Sequence, residues 1–195
     1  MKYEHKSKLE DCIYVEDNAI SKMLCYDLIK HFEDSISFRT DDHRKQADEM
    51  QLVGDPRKES IEFKDKLLDV IYSIGVRCEN NLHYLCGDDR PYDAPMTTMY
   101  NTVFRSLQIQ RYTAEDSGYP AVHIESGPKH HKKYLAVILY LNDCDDGETV
   151  FPVAGAEIQP EMGRIAIWPS GLPFYHYGKK SSTVKYIITT WFEFE

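Results

Sequence analysis

The chain lacks the patterns that define several common classes of protein. Its five cysteines are scattered, odd in number and without a Cys-x-x-Cys pair, which argues against a zinc ribbon or a disulfide framework. No apolar run approaches the length of a membrane span, and the opening residues lack the apolar core of a signal peptide. We therefore expect no membrane association and a reducing, cytoplasmic setting.

Positive charge is also in short supply. The chain carries 32 acidic and 23 basic side chains, a formal net charge of -9. Because nucleic-acid phosphates favour a basic surface, we expect no nucleic-acid partner. No repeat, low-complexity tract or interdomain linker is visible, and 195 residues suffice for a sizeable core. These features predict a single domain over residues 1–195.

Residues 1–100 are predicted to be mainly helical. Ser21 suits the N-cap of a first amphipathic helix. A second, longer helix is predicted from about residue 60 to residue 86, with Gly87 placed where a helix-ending glycine often lies. Between the two helices, the polar and charged residues 39–59 indicate a mobile surface segment, either simply solvated or a lid over a site.

Residues 101–195 change to short strands separated by turns. The segments rich in β-branched and aromatic residues are 103–113, 134–141, 148–151, 163–168 and 183–194. Clusters of Asp, Gly and Pro between them mark turns. Helices followed by many closely spaced strands predict an α+β, mainly β fold: a double-stranded β-helix (jelly roll) with supporting N-terminal helices.

One pattern of histidines and a carboxylate carries candidate metal chemistry. His123-Ile124-Glu125 places two ligands at i and i+2, and alternate side chains of a strand point to the same face. A second histidine from another strand, His176, would complete a two-histidine, one-carboxylate face that leaves positions open on Fe(II). With 8 histidines in the chain such a pattern also arises by chance, so its weight depends on the surrounding sequence.

That surrounding sequence holds an ordered series of landmarks over residues 103–194. They comprise residues 108–112, 118–119, 123–125, 138–142, 146–152, 158–160 and 163–168, then His176, Lys185 and Trp191. The series resembles the prolyl-4-hydroxylase group of Fe(II)/2-oxoglutarate dioxygenases. The resemblance implies an enzyme that hydroxylates a C–H bond, with a prolyl or other residue of a peptide as candidate target, and releases succinate and CO2. It also implies Fe(II), 2-oxoglutarate and O2, with ascorbate as an optional cofactor.

The resemblance further assigns roles to single residues. His123, Glu125 and His176 match the positions that hold Fe(II). Lys185 matches the basic residue for the remote carboxylate of 2-oxoglutarate, a charge-assisted contact that is strong inside a barrel. The other candidates for the cosubstrate site are Tyr140, Thr149 and Tyr112.

Two positions depart from the family pattern. Glu125 stands where the family usually has aspartate; it adds one methylene and remains a hard ligand for Fe(II). Lys133 stands where prolyl hydroxylases commonly carry arginine, and lysine lacks the planar fork of donors. Lys133 and Trp191 are the candidate substrate residues.

Other functions remain open at this stage. One alternative is an oxygenase that acts on a small molecule or a free amino acid. Another is a cupin-like metal-binding module without oxygenase activity, although cupins generally carry His-x-His where this chain has His-x-Glu. A third is an inactive sensor or scaffold, against which the complete set of His123, Glu125, His176 and Lys185 argues.

Overall fold

In residues 7–85 and 101–195, which the computed structural model describes, the protein has two antiparallel sheets and two α-helices. After a short 3-10 helix at Leu9–Cys12, the elements are β1 (Tyr14–Glu16), α1 (Lys22–Glu33), β2 (Phe38–Asp41), β3 (Gln46–Gln51), α2 (Lys58–Leu85), β4 (Thr102–Val103), β5 (Leu107–Tyr112), β6 (Tyr119–His123), β7 (Lys133–Tyr140), β8 (Thr149–Phe151), β9 (Ala156–Ile158), β10 (Ile165–Pro169), β11 (His176–Gly178) and β12 (Lys185–Phe194). The larger sheet has the order β1-β10-β7-β12-β5-β3-β2, with β4 also paired to β12; the smaller has the order β6-β11-β8-β9.

The two sheets pack face to face as a double-stranded β-helix, which confirms the predicted fold. Their shared interior is an aromatic and aliphatic cluster that draws Tyr140 and Trp168 from the larger sheet and Phe151 from the smaller. Sheet-on-sheet packing of this kind buries the alternate residues of each strand. The interior therefore takes its side chains from every second position of the strands.

The opposite face of the larger sheet carries both helices. Ser21 caps α1, as predicted, by accepting a hydrogen bond from the backbone N–H of Leu24 at 3.2 Å. Helix α1 buries Leu28 and Phe32, and α2 buries a stripe that includes Ile71. These side chains join the outward residues of the strands in a second apolar cluster. The helices thus cover a sheet face that would otherwise meet water.

Strand β7 shows how one segment serves both clusters. Its residues Leu135, Val137 and Leu139 belong to the helix-covered cluster, whereas Ala136 and Ile138 belong to the interior. The alternation follows from the two-residue period of a strand. Both faces are buried, so the strand reads as an apolar run without polar alternation.

Residues 39–59 correct the sequence prediction of a mobile surface segment. Within them β2 and β3 form a hairpin that extends the larger sheet beyond β5. Their charges are used across strands: Arg111 donates to Asp48 at 2.8 Å, and Thr40 donates to Glu49 at 2.6 Å. A strand whose charges find partners on neighbouring strands resembles a loop in composition, which explains the wrong prediction.

Helix α2 ends at Leu85 in the described residues, and the predicted helix end at Gly87 lies outside them. Among the helices of residues 7–85 and 101–195, none combines the length and apolar character needed to cross a bilayer.

Candidate active site

The smaller sheet brings the two predicted histidine ligands together. His123 is the last residue of β6 and His176 the first of β11, and the two are direct cross-strand partners. Their ring centroids lie 4.3 Å apart. Glu125 follows the end of β6, where its backbone N–H donates to the carbonyl of Ser170 at 3.0 Å. The carboxylate therefore reaches the histidines from an anchored turn rather than from the strand.

Hydrogen bonds orient both imidazoles. Nδ1 of His123 lies 2.8 Å from the carbonyl of Ala121, and Nδ1 of His176 lies 3.1 Å from that of Phe174. A carbonyl only accepts, so each Nδ1 is assigned as the protonated nitrogen and each Nε2 keeps its lone pair. Backbone carbonyls commonly fix metal-binding histidines in this way.

The free donor atoms converge on one point. Nε2 of His123 lies 3.5 Å and Nε2 of His176 lies 3.4 Å from Oε1 of Glu125. One ligand atom from each of the three residues lies within 4.8 Å of the others. Three facing lone-pair atoms repel one another unless a cation lies between them, and two imidazoles with one carboxylate suit Fe(II). The residues present therefore fit a divalent metal ion.

The carboxyl of Glu125 is held in its ionised form. Burial by itself would raise its pKa, but the adjacent imidazoles of His123 and His176 and the charge of Lys133 lower the pKa well below its usual range. The charged form is the one that ligates a metal.

Lys133 contacts this carboxylate from the side away from the histidines. Its Nζ lies 3.2 Å from Oε2 of Glu125 and 3.3 Å from the centroid of the Trp191 ring. Only 12% of the Lys133 side chain is exposed. Both predicted substrate residues thus line the cavity, but the ammonium of Lys133 is already engaged by a candidate metal ligand and an aromatic face.

Lys185 lines the same cavity. It is 4% exposed, and its Nζ donates to the carbonyl of Gly147 at 2.7 Å. No described carboxylate forms a salt bridge with it. Burial lowers the pKa of this ammonium to about 8, against the smaller effects of Cys144, Glu148 and Asp146. A buried cation without an anion is costly, so this position is suited to an anionic ligand.

Tyr112 and Thr149, two other predicted cosubstrate residues, line the cavity together with Lys185. Its Nζ lies 5.2 Å from the ring centroid of Tyr112, its cross-strand partner, and Thr149 forms part of the cavity wall. Tyr140 lies behind the wall, where its hydroxyl is 2.7 Å from that of Thr149. The structure thus brings Lys185, Tyr112 and Thr149 into the wall of one cavity, while the hydroxyl of Tyr140 contacts that wall at Thr149.

A single cavity of about 400 Å³ connects the triad and Lys185. Its polar wall includes residues that the sequence prediction missed. Nε2 of Gln110 donates to Thr189 at 2.8 Å and to Gln108 at 3.0 Å. Both glutamines alternate with the core residues Leu107 and Ile109 in β5, and a polar position between apolar ones was the signal that pointed inward.

Two aromatic rings that sequence reasoning also missed flank the histidines. Tyr119 stacks on His123 with ring centroids 4.2 Å apart, and Trp168 meets His176 edge-on at 4.9 Å. The indole N–H of Trp168 is buried and has no hydrogen-bond partner among the described residues. Nothing in the spacing of these two residues sets them apart from core aromatics.

Comparisons with known proteins agree with this geometry. The family model described as the 2OG-Fe(II) oxygenase superfamily matches residues 107–193. No curated protein matches the sequence. The matched segment lies within the residues where the resemblance was found, and it supports an oxygenase domain of the type that uses Fe(II) and 2-oxoglutarate.

The fold is similar to those of several solved prolyl hydroxylases. A prolyl-4-hydroxylase from Pseudomonas putida is 12% identical with a TM-score of 0.66, over 94% of this chain and 92% of that one. A prolyl hydroxylase from Trichoplax adhaerens, in complex with a hypoxia inducible factor peptide fragment, is 16% identical with a TM-score of 0.64, over 94% and 84%. The viral collagen prolyl hydroxylase of Paramecium Bursaria Chlorella virus-1 is 16% identical with a TM-score of 0.59, over 98% and 99%.

Proposed function

We propose that this dioxygenase hydroxylates a C–H bond of a peptide residue, with proline as the first candidate, and that the cavity described above is its active site. One observation carries the proposal. Three lone-pair atoms of His123, Glu125 and His176 face one another in a cavity that also holds the buried ammonium of Lys185, which forms no salt bridge with a described carboxylate. A divalent metal ion suits the first group, and an anionic ligand suits the second.

Each group has a distinct task in the proposed reaction. His123, Glu125 and His176 would hold Fe(II), and Lys185 would bind the remote carboxylate of 2-oxoglutarate with Thr149 beside it. When bound, Fe(II) and 2-oxoglutarate couple oxidative decarboxylation to insertion of one oxygen atom of O2 into the C–H bond, which yields succinate, CO2 and the alcohol.

Lys133 would restrain the metal ligand rather than the substrate. Its contact with Oε2 of Glu125 leaves Oε1, the oxygen that faces both histidines, free for the metal. Glutamate has one more rotatable bond than the usual aspartate, so a fixed partner for its far oxygen reduces the freedom of the longer arm. Trp191, which packs against the Lys133 ammonium, forms the cavity wall beside this contact.

The proposal of a peptide substrate rests on fold similarity to prolyl hydroxylases, one of them solved with a peptide bound.

We also propose that residues 1–195 form one domain, because both helices pack on the same sheet that carries the site. A cytoplasmic location is proposed from the cysteines, since Cys25, Cys78 and Cys144 are free thiols. The expected absence of nucleic-acid and membrane partners and the use of ascorbate stay predictions.

An anaerobic titration tests the proposal. Fe(II) and 2-oxoglutarate added together should give the weak visible charge-transfer band of a chelated cosubstrate, and His176→Ala should not give it. A screen of proline peptides and free amino acids for succinate release then decides between a peptide and a small-molecule substrate. Absence of the band in the folded wild-type protein would contradict the oxygenase assignment and favour a binding module.

A further inference from the structure

The lining of the active-site cavity differs in charge from the chain as a whole. Arg44, Lys45, Lys133 and Lys185 line the cavity, and Glu125 is the one carboxylate among the described residues that does so. The whole chain has a formal net charge of -9. Basic side chains are therefore concentrated around the cavity that the substrate must enter.

Three of these four cations already have a task or a partner. Lys185 belongs to the proposed cosubstrate site, and Lys133 forms an ion pair with Glu125. Lys45 forms an ion pair with Glu49. Arg44 differs because its side chain is 63% exposed, and its ion pair with Asp42 is long, at 3.6 Å. Arg44 is thus free to turn towards a bound molecule.

The turn between β6 and β7 adds further positive charge. Residues 126–142 contain no acidic side chain, and Lys129, His130, His131 and Lys132 are all exposed. Two turn hydrogen bonds order the segment, from His130 N–H to the Gly127 carbonyl at 2.9 Å and from Lys133 N–H to the His130 carbonyl at 3.2 Å. His130 itself lines the cavity. In the described part of the chain, neither Lys129 nor Lys132 has a carboxylate partner.

We propose that the substrate is a peptide whose target residue is flanked by acidic side chains, which Arg44, Lys129 and Lys132 bind at the cavity mouth. This inference rests on the proposed function and names the substrate class of the same site. When the rim of a site and its ligand carry opposite charges, the ligand associates faster and is favoured over other ligands. Both effects weaken at high salt. A long polyanion is disfavoured because the surrounding surface of this acidic chain would repel it.

Binding measured by fluorescence anisotropy tests the inference without requiring turnover. Three labelled peptides of equal length carry one proline flanked by Glu, by Gln or by Lys, and each is titrated with protein loaded anaerobically with Fe(II) and 2-oxoglutarate. The Glu peptide should bind about tenfold more tightly than the Gln peptide at low salt, and the advantage should shrink as salt is added. Equal affinities, or a preference for the Lys peptide, would overturn the inference.

Charge-reversal variants then test which residues cause the preference for the Glu peptide. The double variant Lys129→Glu/Lys132→Glu should lose the preference for the Glu peptide while its iron and 2-oxoglutarate binding stay normal. The matched control is Lys22→Glu/Lys66→Glu, which makes the same charge change at exposed positions of α1 and α2 and should keep the preference. An equal loss in both double variants would mean that net charge, rather than the rim, selects the peptide, and would refute the site.

The outcomes separate this inference from the proposed function. If loaded protein binds the Glu peptide selectively but releases no succinate with any peptide, the charge preference stands and the peptide hydroxylase assignment fails. If succinate forms equally with all three peptides, the assignment stands and the charge preference fails. A single-stranded oligonucleotide that displaces the Glu peptide with similar affinity would replace the peptide by a nucleic acid and so overturn the inference.

Discussion

The two faces of the larger sheet are made by the same strands and have opposite characters. The helix-covered face is aliphatic and closed: Leu139, Ile167 and Ile188 pack there beneath α1 and α2. The interior face carries polar and charged groups among its aromatics, including Gln110 and Lys185. Polar side chains are concentrated on the face that has a cavity, since only there can a ligand satisfy them. Neighbouring residues of one strand therefore have different roles: one packs beneath the helices and stabilises the fold, and the next faces the cavity.

Loss of a histidine ligand should have the largest effect on the interior face. We expect His176→Ala to abolish stoichiometric retention of Fe(II), because two donors cannot keep the three-sided face that the metal requires. Iron content after desalting measures this, and the far-ultraviolet circular dichroism should stay that of the wild type. His176→Gln preserves most of the side-chain volume and serves as the control for packing. Iron retention in both variants would rule out His176 as a ligand.

A large-to-small change on the helix-covered face should act in the opposite way. Leu139→Ala removes buried methyl groups from a fully enclosed side chain and should lower the free energy of unfolding by about 2–5 kcal/mol. Urea denaturation measures the loss, and iron affinity should be unchanged in the folded protein. The control is Ile36→Ala, at a side chain that is 84% exposed, with an expected change within about 0.5 kcal/mol.

Removal of the buried ammonium should separate the cosubstrate from the metal. Lys185→Ala is expected to weaken 2-oxoglutarate binding by about 100-fold or more, because the remote carboxylate would lose its cation in a buried site. Lys185→Met tests the same loss with the side-chain length kept. Calorimetric titration under anaerobic conditions provides the measurement. Unchanged 2-oxoglutarate affinity in both variants, with iron still bound, would remove Lys185 from the cosubstrate site.

The lowered pKa of Lys185 predicts a pH dependence. Burial sets this pKa at about 8, and 2-oxoglutarate needs the protonated form, so affinity should fall about tenfold per pH unit above pH 8. Between pH 8 and 10.5 the unfolded chain binds this proton and the folded chain does not, so the group's contribution makes the ligand-free protein more stable as pH rises. Titrations at pH 7 and pH 9 measure the affinity. Lys185→Arg should bind equally at both, and a matching drop in that variant would assign the dependence to another group.

The smallest expected effect concerns the partner of the carboxylate ligand. Lys133→Gln should weaken Fe(II) binding by about tenfold, the usual result of removing a contact that orients a metal ligand. Lys133→Arg keeps a cation beside Glu125 and Trp191 and should recover most of the affinity. Competition with a metal-sensitive dye measures both variants. An unchanged iron affinity in Lys133→Gln, together with a raised KM for peptide, would return Lys133 to its predicted substrate role.

Local patterns accounted for much of the fold. The first helix began at its predicted cap, Ser21, and the predicted strands from residue 103 onward appear in the two sheets. The hairpin of β2 and β3 was missed because its stabilising partners are remote in sequence. Asp48, for example, pairs with Arg111, 63 positions away. A window of neighbouring residues shows only the charges, which here resemble those of a solvated loop.

The candidate site was likewise predicted only in part from local sequence. The spacing of His123 and Glu125 is local, and the ordered landmarks after residue 103 pointed to His176 and Lys185 as their distant partners. The engagement of Lys133 by Glu125 and Trp191 depends on where β7 and β12 lie, and no spacing shows it. The same holds for the stacking of Tyr119 on His123.

The sequence by itself determined the periods of the helices and strands, the chemical types of the ligands and the presence of a lysine between apolar neighbours, because each depends on residues close together in the chain. Tertiary structure decided which atoms meet. Only the pairing of β6 with β11 brings two Nε2 atoms to one carboxylate oxygen, and only the closure of the sheets encloses the ammonium of Lys185. The distances between side chains remote in sequence, and the burial of those side chains, arise only when the sheets pack. They cannot be predicted from residues that are neighbours in the chain.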